Sequence, residues 1–304
     1  MTLDSDAYVD RRRLKRGLLF WRLAALAAAA VAAVVGLARF DGRYLLTDYV
    51  ARLEVDGLIL HDPRRDEMLA DIAGDDRVKA LIVRIDSPGG TFVGSEALHR
   101  ALRRVAEAKP VVAVMDGVAT SGGYMAAIAA DHIVAARGTI TGSIGVIFQT
   151  ADVTGLLDKI GIKPETFKSG PLKAQPNPFE PVSPAAREAT EGFVRELHGM
   201  FVDMVAERRG LDRPQVAAIA DGRIFSGRHA VDLKLVDSIG DETEARDWLS
   251  ESRSVARTLP VRKVALKRER ELWREMFDET VGKALFSERL RLDGAIAVWH
   301  PSLR

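Results

Sequence analysis

Between residues 49 and 250 the hydrophobic pattern changes period several times, and each change marks an element. ARLEVDGLIL (51–60) alternates and then closes in an apolar run, which predicts a strand that becomes buried along its length. VKALIVRIDSPGG (78–90) predicts a second strand ending in a Pro-Gly-Gly turn, and GSEALHRALRRVAEA (94–108) sets Leu98, Leu102 and Val105 on one helical face. KPVVAVMDG (109–117) gives a third strand and the segment from Gly122 to Ala130 the next helix. DHIVAA (131–136) and GSIGVIFQ (142–149) predict two short strands, VTGLLDKIG (153–161) a helix and KPETFKSG (163–170) a strand. From about Ser183 a long amphipathic helix runs through Arg209, followed by a short helix opened by Arg213 and Pro214, a turn-rich stretch at 221–241, and a helix from about Glu242 to Leu249. Strands alternating with helical patterns predict an α/β domain around a largely parallel sheet.

The amino terminus follows another pattern. RRRLKRG (11–17) precedes 21 residues, Leu18 to Ala38, interrupted only by Arg22. As a helix this stretch is about 31 Å long, enough for a hydrocarbon core of about 30 Å, with Arg22 near enough to the basic end to snorkel. Arg11, Arg12, Arg13, Lys15 and Arg16 hold that end in the cytoplasm, which sends the chain after Ala38 across the membrane. A cleaved signal peptide and an Ala-rich soluble helix are the competing readings of the same stretch. The expected organisation is a basic segment at 1–17, a signal-anchor transmembrane helix at 18–38, a linker at 39–50, the main domain at 51–250 and a charged tail at 251–304.

Composition narrows the chemistry. The 304 residues are 47% hydrophobic, enough for one good-sized core. With 44 basic and 43 acidic residues the net charge is +1, so no bulk electrostatic argument points to nucleic acid. The absence of cysteine removes thiolate catalysis, disulfides and thiolate-ligated metal. His61, His99, His132, His198, His229 and His300 are scattered, with no His-x-x-x-His spacing, so no metal is expected. GGTFVG (89–94) lies after a strand and before a helix, but its glycines are misplaced for Gly-x-Gly-x-x-Gly, and no nucleotide cofactor is expected.

The candidate chemistry centres on VATSGGYMAA (118–127). Ser121 stands where a strand gives way to a helix, the two following glycines leave it uncrowded, and the free N–H groups of the helix start can hold charge on a carbonyl oxygen. Its bland alternative is an ordinary helix N-cap. Tyr124 and Met125 either flank the nucleophile or lie in the core. A serine nucleophile needs a base. His132, eleven helical residues on, is about 16 Å away along the axis and out of reach; His99, a turn into the preceding helix, stays open. A lysine serves if burial or nearby positive charge keeps it neutral part of the time. Lys173, set among Pro171, Leu172, Ala174 and Pro176, is such a candidate, and Lys168 on the predicted strand is its rival.

DSPGG (86–90), VATSGGYMAA, TGSIGV (141–146), FKSGPLKAQPNPFEP (167–181) and GRIFSGRHAVDLKLVD (222–237) occur in the order and spacing of the signal peptide peptidase A family. The chain resembles the short, single-repeat bacterial form of these serine-lysine peptidases over about residues 50 to 250. The resemblance implies a Clp/crotonase-like fold of repeated ββα-type units behind the transmembrane helix. It also implies Ser121 as nucleophile, Lys173 as general base 52 positions later, Ser143 as the hydroxyl that orients the lysine, and the N–H groups of Gly90 and Gly122 as the oxyanion hole. No cofactor is implied. The implied substrates are hydrophobic peptides such as cleaved signal peptides, the implied assembly a homo-oligomer, and the implied location the bacterial inner membrane with the catalytic domain on the periplasmic side.

One residue departs from the pattern: Asp86 stands where the family usually has Asn. An ionised carboxylate there opposes an oxyanion unless a cation or backbone donors compensate it, and Arg84 is a possible partner. Three other functions compete: a stomatin-associated membrane serine protease on the same fold, a crotonase-like acyl-CoA enzyme, and a catalytically silent membrane scaffold.

Overall fold

The computed structural model describes residues 21–29, 31, 47–264 and 296–298. The chain divides into two compact units, 1–47 and 48–304. In the first, 21–29 and 31 are helical and Trp21, Leu23, Leu26 and Val31 are exposed. Most of the expected anchor, 18–38, lies outside the described residues, and no helix among the described residues is long and apolar enough to cross a membrane.

Among the described residues the second unit is built on one nine-stranded sheet. Its central strands are β1 (Tyr49–Ile59), β2 (Val78–Thr91) and β3 (Val111–Thr120), all parallel. β4 (His132–Ala135) and β5 (Ile140–Gly142) both pair with β3 in parallel, one along its early and one along its late residues. β6 (Ile224–Ser226) runs antiparallel to β5, β7 (Ser238–Ile239) joins β4, and β8 (Val261–Lys263) closes the far edge on β1, past the expected domain boundary at 250. β9 (Ile296–Val298) is antiparallel to Gly89–Thr91.

The apolar runs of β2 and β3 are continuous because both faces of the sheet are covered. Leu81, Val83 and Ile85 on β2 and Val111, Ala113 and Met115 on β3 enter the larger core. Ala80, Ile82, Val112 and Val114 face the other way, onto Ala245 and Leu249 of a helix, α8 (Glu242–Arg253). The larger core is covered by α1 (Pro63–Gly74), α2 (Phe92–Ala108), α3 (Gly122–Ala127) and α5 (Pro184–Arg209), with α4 (Thr154–Lys159), α6 (Arg213–Ala217) and α7 (Gly227–Asp232) in the connections.

Local signals explain most boundaries. Thr91 Oγ1 accepts from Gly94 N at 3.1 Å and starts α2, on which Leu98, Leu102 and Val105 are buried as expected. Ser183 caps α5, Pro184 opens it, and Gly210, at φ +60°, ends it. α1, absent from the sequence reading, begins at the Asp62 cap with Pro63 in its first turn and buries Leu69 and Ile72.

Three expectations need correction. Residues 163–170 form no strand, and Phe167 on it is 94% exposed. The expected strand at 142–149 is instead three residues, Ile140–Gly142, followed by irregular chain. The helix after Ser121 ends at Ala127 rather than Ala130.

Candidate active site

Ser121 joins β3 to α3 at φ +52° and ψ −117°, a backbone conformation that side chains other than glycine rarely take. Its N–H donates to Gly142 O at 2.8 Å, and its carbonyl accepts from Met125 N at 2.9 Å, so the turn is held on both sides. The hydroxyl does not cap α3, which sets aside the N-cap reading. The strain therefore has no capping role to justify it.

Neighbouring loops converge on this turn. β3 pairs Thr120 with Gly142 of β5, so Ser121 and Ser143 follow side by side. Ser143 is itself at φ +50° and buried, with its N–H held by Arg223 O at 2.8 Å. On the other side, Ser87 pairs with Ala119, and Thr120 Oγ1 donates to Pro88 O at 3.1 Å, tying the Pro-Gly-Gly turn to the end of β3. Ser87 Oγ donates to Gly57 O at 2.6 Å and accepts from Gly89 N at 3.1 Å.

Two glycines here are required by close approach. A Cβ on Gly90 would stand 1.8 Å from Ile59 O, inside the β1 backbone. A Cβ on Gly122 would stand 2.1 Å from Ser95 Oγ and 3.1 Å from Gly90 N. The backbones that carry the two expected oxyanion donors therefore meet beside Ser121. The structure brings Ser121, Ser143, Gly90 and Gly122 together.

Lys173 is in the irregular segment between α4 and α5. It is exposed, and its ammonium has no hydrogen bond or ion pair among the described residues, so no direct bond joins it to Ser121 or Ser143. Its rival Lys168 is committed elsewhere: its ammonium pairs with Glu180, which also accepts from Asn177 Nδ2 at 2.6 Å, and this pairing pulls the Glu180 carboxyl below its ordinary range. His99 is buried with Nδ1 2.8 Å from Met125 O, so that nitrogen carries the proton, and burial pulls the imidazole down to about 4. A neutral ring locked to the backbone of α3 is a strut of that helix.

The expected Arg84–Asp86 pair does not form. Arg84 Nη2 reaches Asp116 Oδ2 at 2.7 Å, while the exposed Asp86 accepts from Val118 N at 3.0 Å. A backbone donor, and not a cation, compensates that carboxylate. Tyr124 and Met125 belong to the core, and the Tyr124 hydroxyl donates to Leu235 O at 2.9 Å.

Sequence reasoning missed Thr120, Ser87 and Ser95. For Thr120 and Ser87 the available signal was a small hydroxyl residue bordering a glycine turn, which satisfies backbone groups such turns leave unpaired, whereas the buried Ser95 Oγ has no hydrogen-bond partner among the described residues. A mainly apolar groove of about 500 Å³, lined by Ile147, Phe148, Pro176, Val182 and Val194 together with Thr150, Thr190, Arg187, Glu191 and Arg195, lies beside the Lys173 segment, and a smaller one adds Leu172 and Phe193. Among the described residues no cluster of His, Asp or Glu has the arrangement of a metal site.

Comparison with known proteins adds to this geometry. The model for "Peptidase family S49" matches residues 103–256. A protein of Synechocystis sp., by name a "putative protease", is 39% identical over 200 residues, covering 66% of this chain and 72% of that one. The chloroplastic serine protease SPPA of Arabidopsis thaliana is 36% identical over 180 residues, 59% of this chain and 27% of the plant protein. Among solved structures, a single-residue mutant of ClpP1 from Listeria monocytogenes is 17% identical with a TM-score of 0.43, covering 62% of this chain and 91% of that one.

Proposed function

The chain belongs to peptidase family S49, and from that premise we propose a membrane-anchored serine endopeptidase, on a Clp/crotonase-like fold, that uses Ser121 and Lys173 to degrade hydrophobic peptides, cleaved signal peptides among them. The observation that carries the reading is Ser121 itself: a strained strand-to-helix turn, a hydroxyl not spent on capping, and the Gly90 and Gly122 backbones meeting at its side.

In the proposed reaction Ser121 Oγ attacks the peptide carbonyl carbon while Lys173 Nζ takes its proton. The N–H groups of Gly90 and Gly122 receive the oxyanion. As the intermediate collapses, the C–N bond breaks and Lys173 returns the proton to the leaving amine. Water then attacks the acyl ester, giving its proton to Lys173, and the Ser121 oxygen leaves and is reprotonated. Ser143 orients the lysine.

A lysine base works best in a cleft closed to water, and in the single chain Lys173 is exposed. The reading therefore includes assembly. Ile160, Ile162, Phe167 and Phe179 on the segment that carries Lys173, with Leu156 on α4 and Phe193 on α5 at its two ends, are all exposed, apolar surface that neighbouring copies of the chain would cover, enclosing the cleft. The apolar groove beside Pro176 favours apolar peptide side chains. The exposed Trp21, Leu23, Leu26 and Val31 suit insertion into a bilayer, with the peptidase unit on the extracytoplasmic side of a bacterial inner membrane.

The test is incubation of the detergent-solubilised full chain with a synthetic signal peptide and with a polar peptide of equal length, alongside sedimentation of the enzyme. Cleavage confined to the apolar peptide, by a homo-oligomer, is the expected result. Equal cleavage of both, or activity by a monomer, contradicts the corresponding part of the proposal.

A further inference from the structure

The carboxy-terminal strand β9 occupies an unusual place. β2 is an interior strand for most of its length, with β1 on one side and β3 on the other. β1 stays paired as far as Gly89 and Gly90, opposite Leu58 and Ile59. β3 leaves after Ala119 pairs with Ser87, because the chain turns at Ser121. The backbone edge of Gly89–Thr91 on the Ser121 side is thereby open, and an open edge is a template for another strand. β9 fills it: Val298, Ala297 and Ile296 pair antiparallel with Gly89, Gly90 and Thr91, and β9 also lies against α2.

Any peptide cleaved by Ser121 must bring a carbonyl to the Gly90 and Gly122 donors, and it needs the same edge. An extended chain added there gains backbone hydrogen bonds without regard to sequence. β9 falls in AIAVW (295–299), the longest apolar run after Val264, in a tail otherwise dense in charge. The tail thus carries its own apolar peptide on the edge that serves the catalytic serine.

We infer that Ile296–Val298 is a built-in competitor for the peptide-binding edge, holding the enzyme restrained until substrate or a change in the tail displaces it. The inference rests on Ser121 as the reacting residue for its functional effect, although the seating of the tail is independent of it. If the edge is filled about nine-tenths of the time, the apparent affinity for a peptide falls about tenfold.

The test compares the full chain with Ala297→Pro, whose ring resists strand geometry at the centre of the pairing, and with Ala297→Val, which is compatible with a strand. Hydrogen exchange at Gly89–Thr91 reports the seat; labelling of Ser121 by a fluorophosphonate reports access to it. The expected result is lost protection and about tenfold faster labelling in Ala297→Pro only, with slow labelling restored by the added peptide DGAIAVWH. Unchanged protection, or lost protection with an unchanged labelling rate, overturns the inference. Protection that responds while no variant is labelled supports the seat and counts against Ser121 as nucleophile.

Discussion

The point where a Cβ would stand on Gly122 lies 3.1 Å from the backbone nitrogen of Gly90. One glycine ends a strand and the other begins a helix, 32 residues later in the chain. Gly122 has no room for a side chain against Ser95 and Gly90, and Gly90 has none against the β1 backbone at Ile59, so the close approach of the two backbones depends on both being glycine.

Gly122→Ala is expected to lower kcat/KM by about 100-fold or more by displacing one oxyanion donor. The new methyl meets Ser95 Oγ at 2.1 Å and Ser95 Cβ at 3.0 Å. Ser95→Gly in the same chain vacates that space and should recover a large part of the loss, a coupling that a double-mutant cycle measures. Additive losses would show that Ser95 is not the obstacle.

Gly90→Ala is predicted to be the more damaging change, because its methyl would stand 1.8 Å from a backbone oxygen of β1. Backbone must move, at a cost of about 1–3 kcal/mol, read as a lower Tm together with loss of activity.

Much of this was legible in the sequence. The Ser-Gly-Gly after an apolar strand located the elbow, and Ser183, Pro184 and Gly210 delimit α5 with no tertiary help. The stretch 163–170 misled because alternation implies a strand only when one face is buried and a partner is present, and Phe167 has neither. The Arg84–Asp116 pair depends on which strands are neighbours, which two-residue spacing along one strand cannot reveal. β9 was invisible for the same reason: its three residues gain meaning only from an edge about 200 positions away.

His99 makes stability depend on pH. Its imidazole is held at about 4 when folded and returns to about 6.5 when unfolded, so between these values the unfolded chain binds more protons. The contribution is fully present above about pH 6.5 and is lost as pH falls through about 4, a change of about 3 kcal/mol. Urea titrations across this window should show the slope in the wild type and a much smaller one in His99→Gln, whose amide still donates to Met125 O.

Neither competing base should matter to the chemistry. With Nδ1 of His99 on Met125 O and the Lys168 ammonium on Glu180, His99→Gln and Lys168→Ala are expected to keep kcat within about tenfold of wild type, well short of the 100- to 10,000-fold typical of losing a general base.

Tyr124→Phe removes the hydroxyl that reaches Leu235 O and leaves that carbonyl unpaired in the core. The expected cost is about 1–3 kcal/mol in thermal or urea unfolding, with the active fraction otherwise unchanged. No loss of stability would show that α3 is held by other contacts.

The most direct test is the rate of cleavage of an apolar fluorogenic peptide by the full chain, Ser121→Ala and Lys173→Ala between pH 6 and 10. Activity that rises with pH, as a lysine base gives up its proton, and that is abolished in both variants is the predicted result. Activity that survives Ser121→Ala, or that Lys173→Ala leaves unchanged in size and pH profile, contradicts the serine-lysine account.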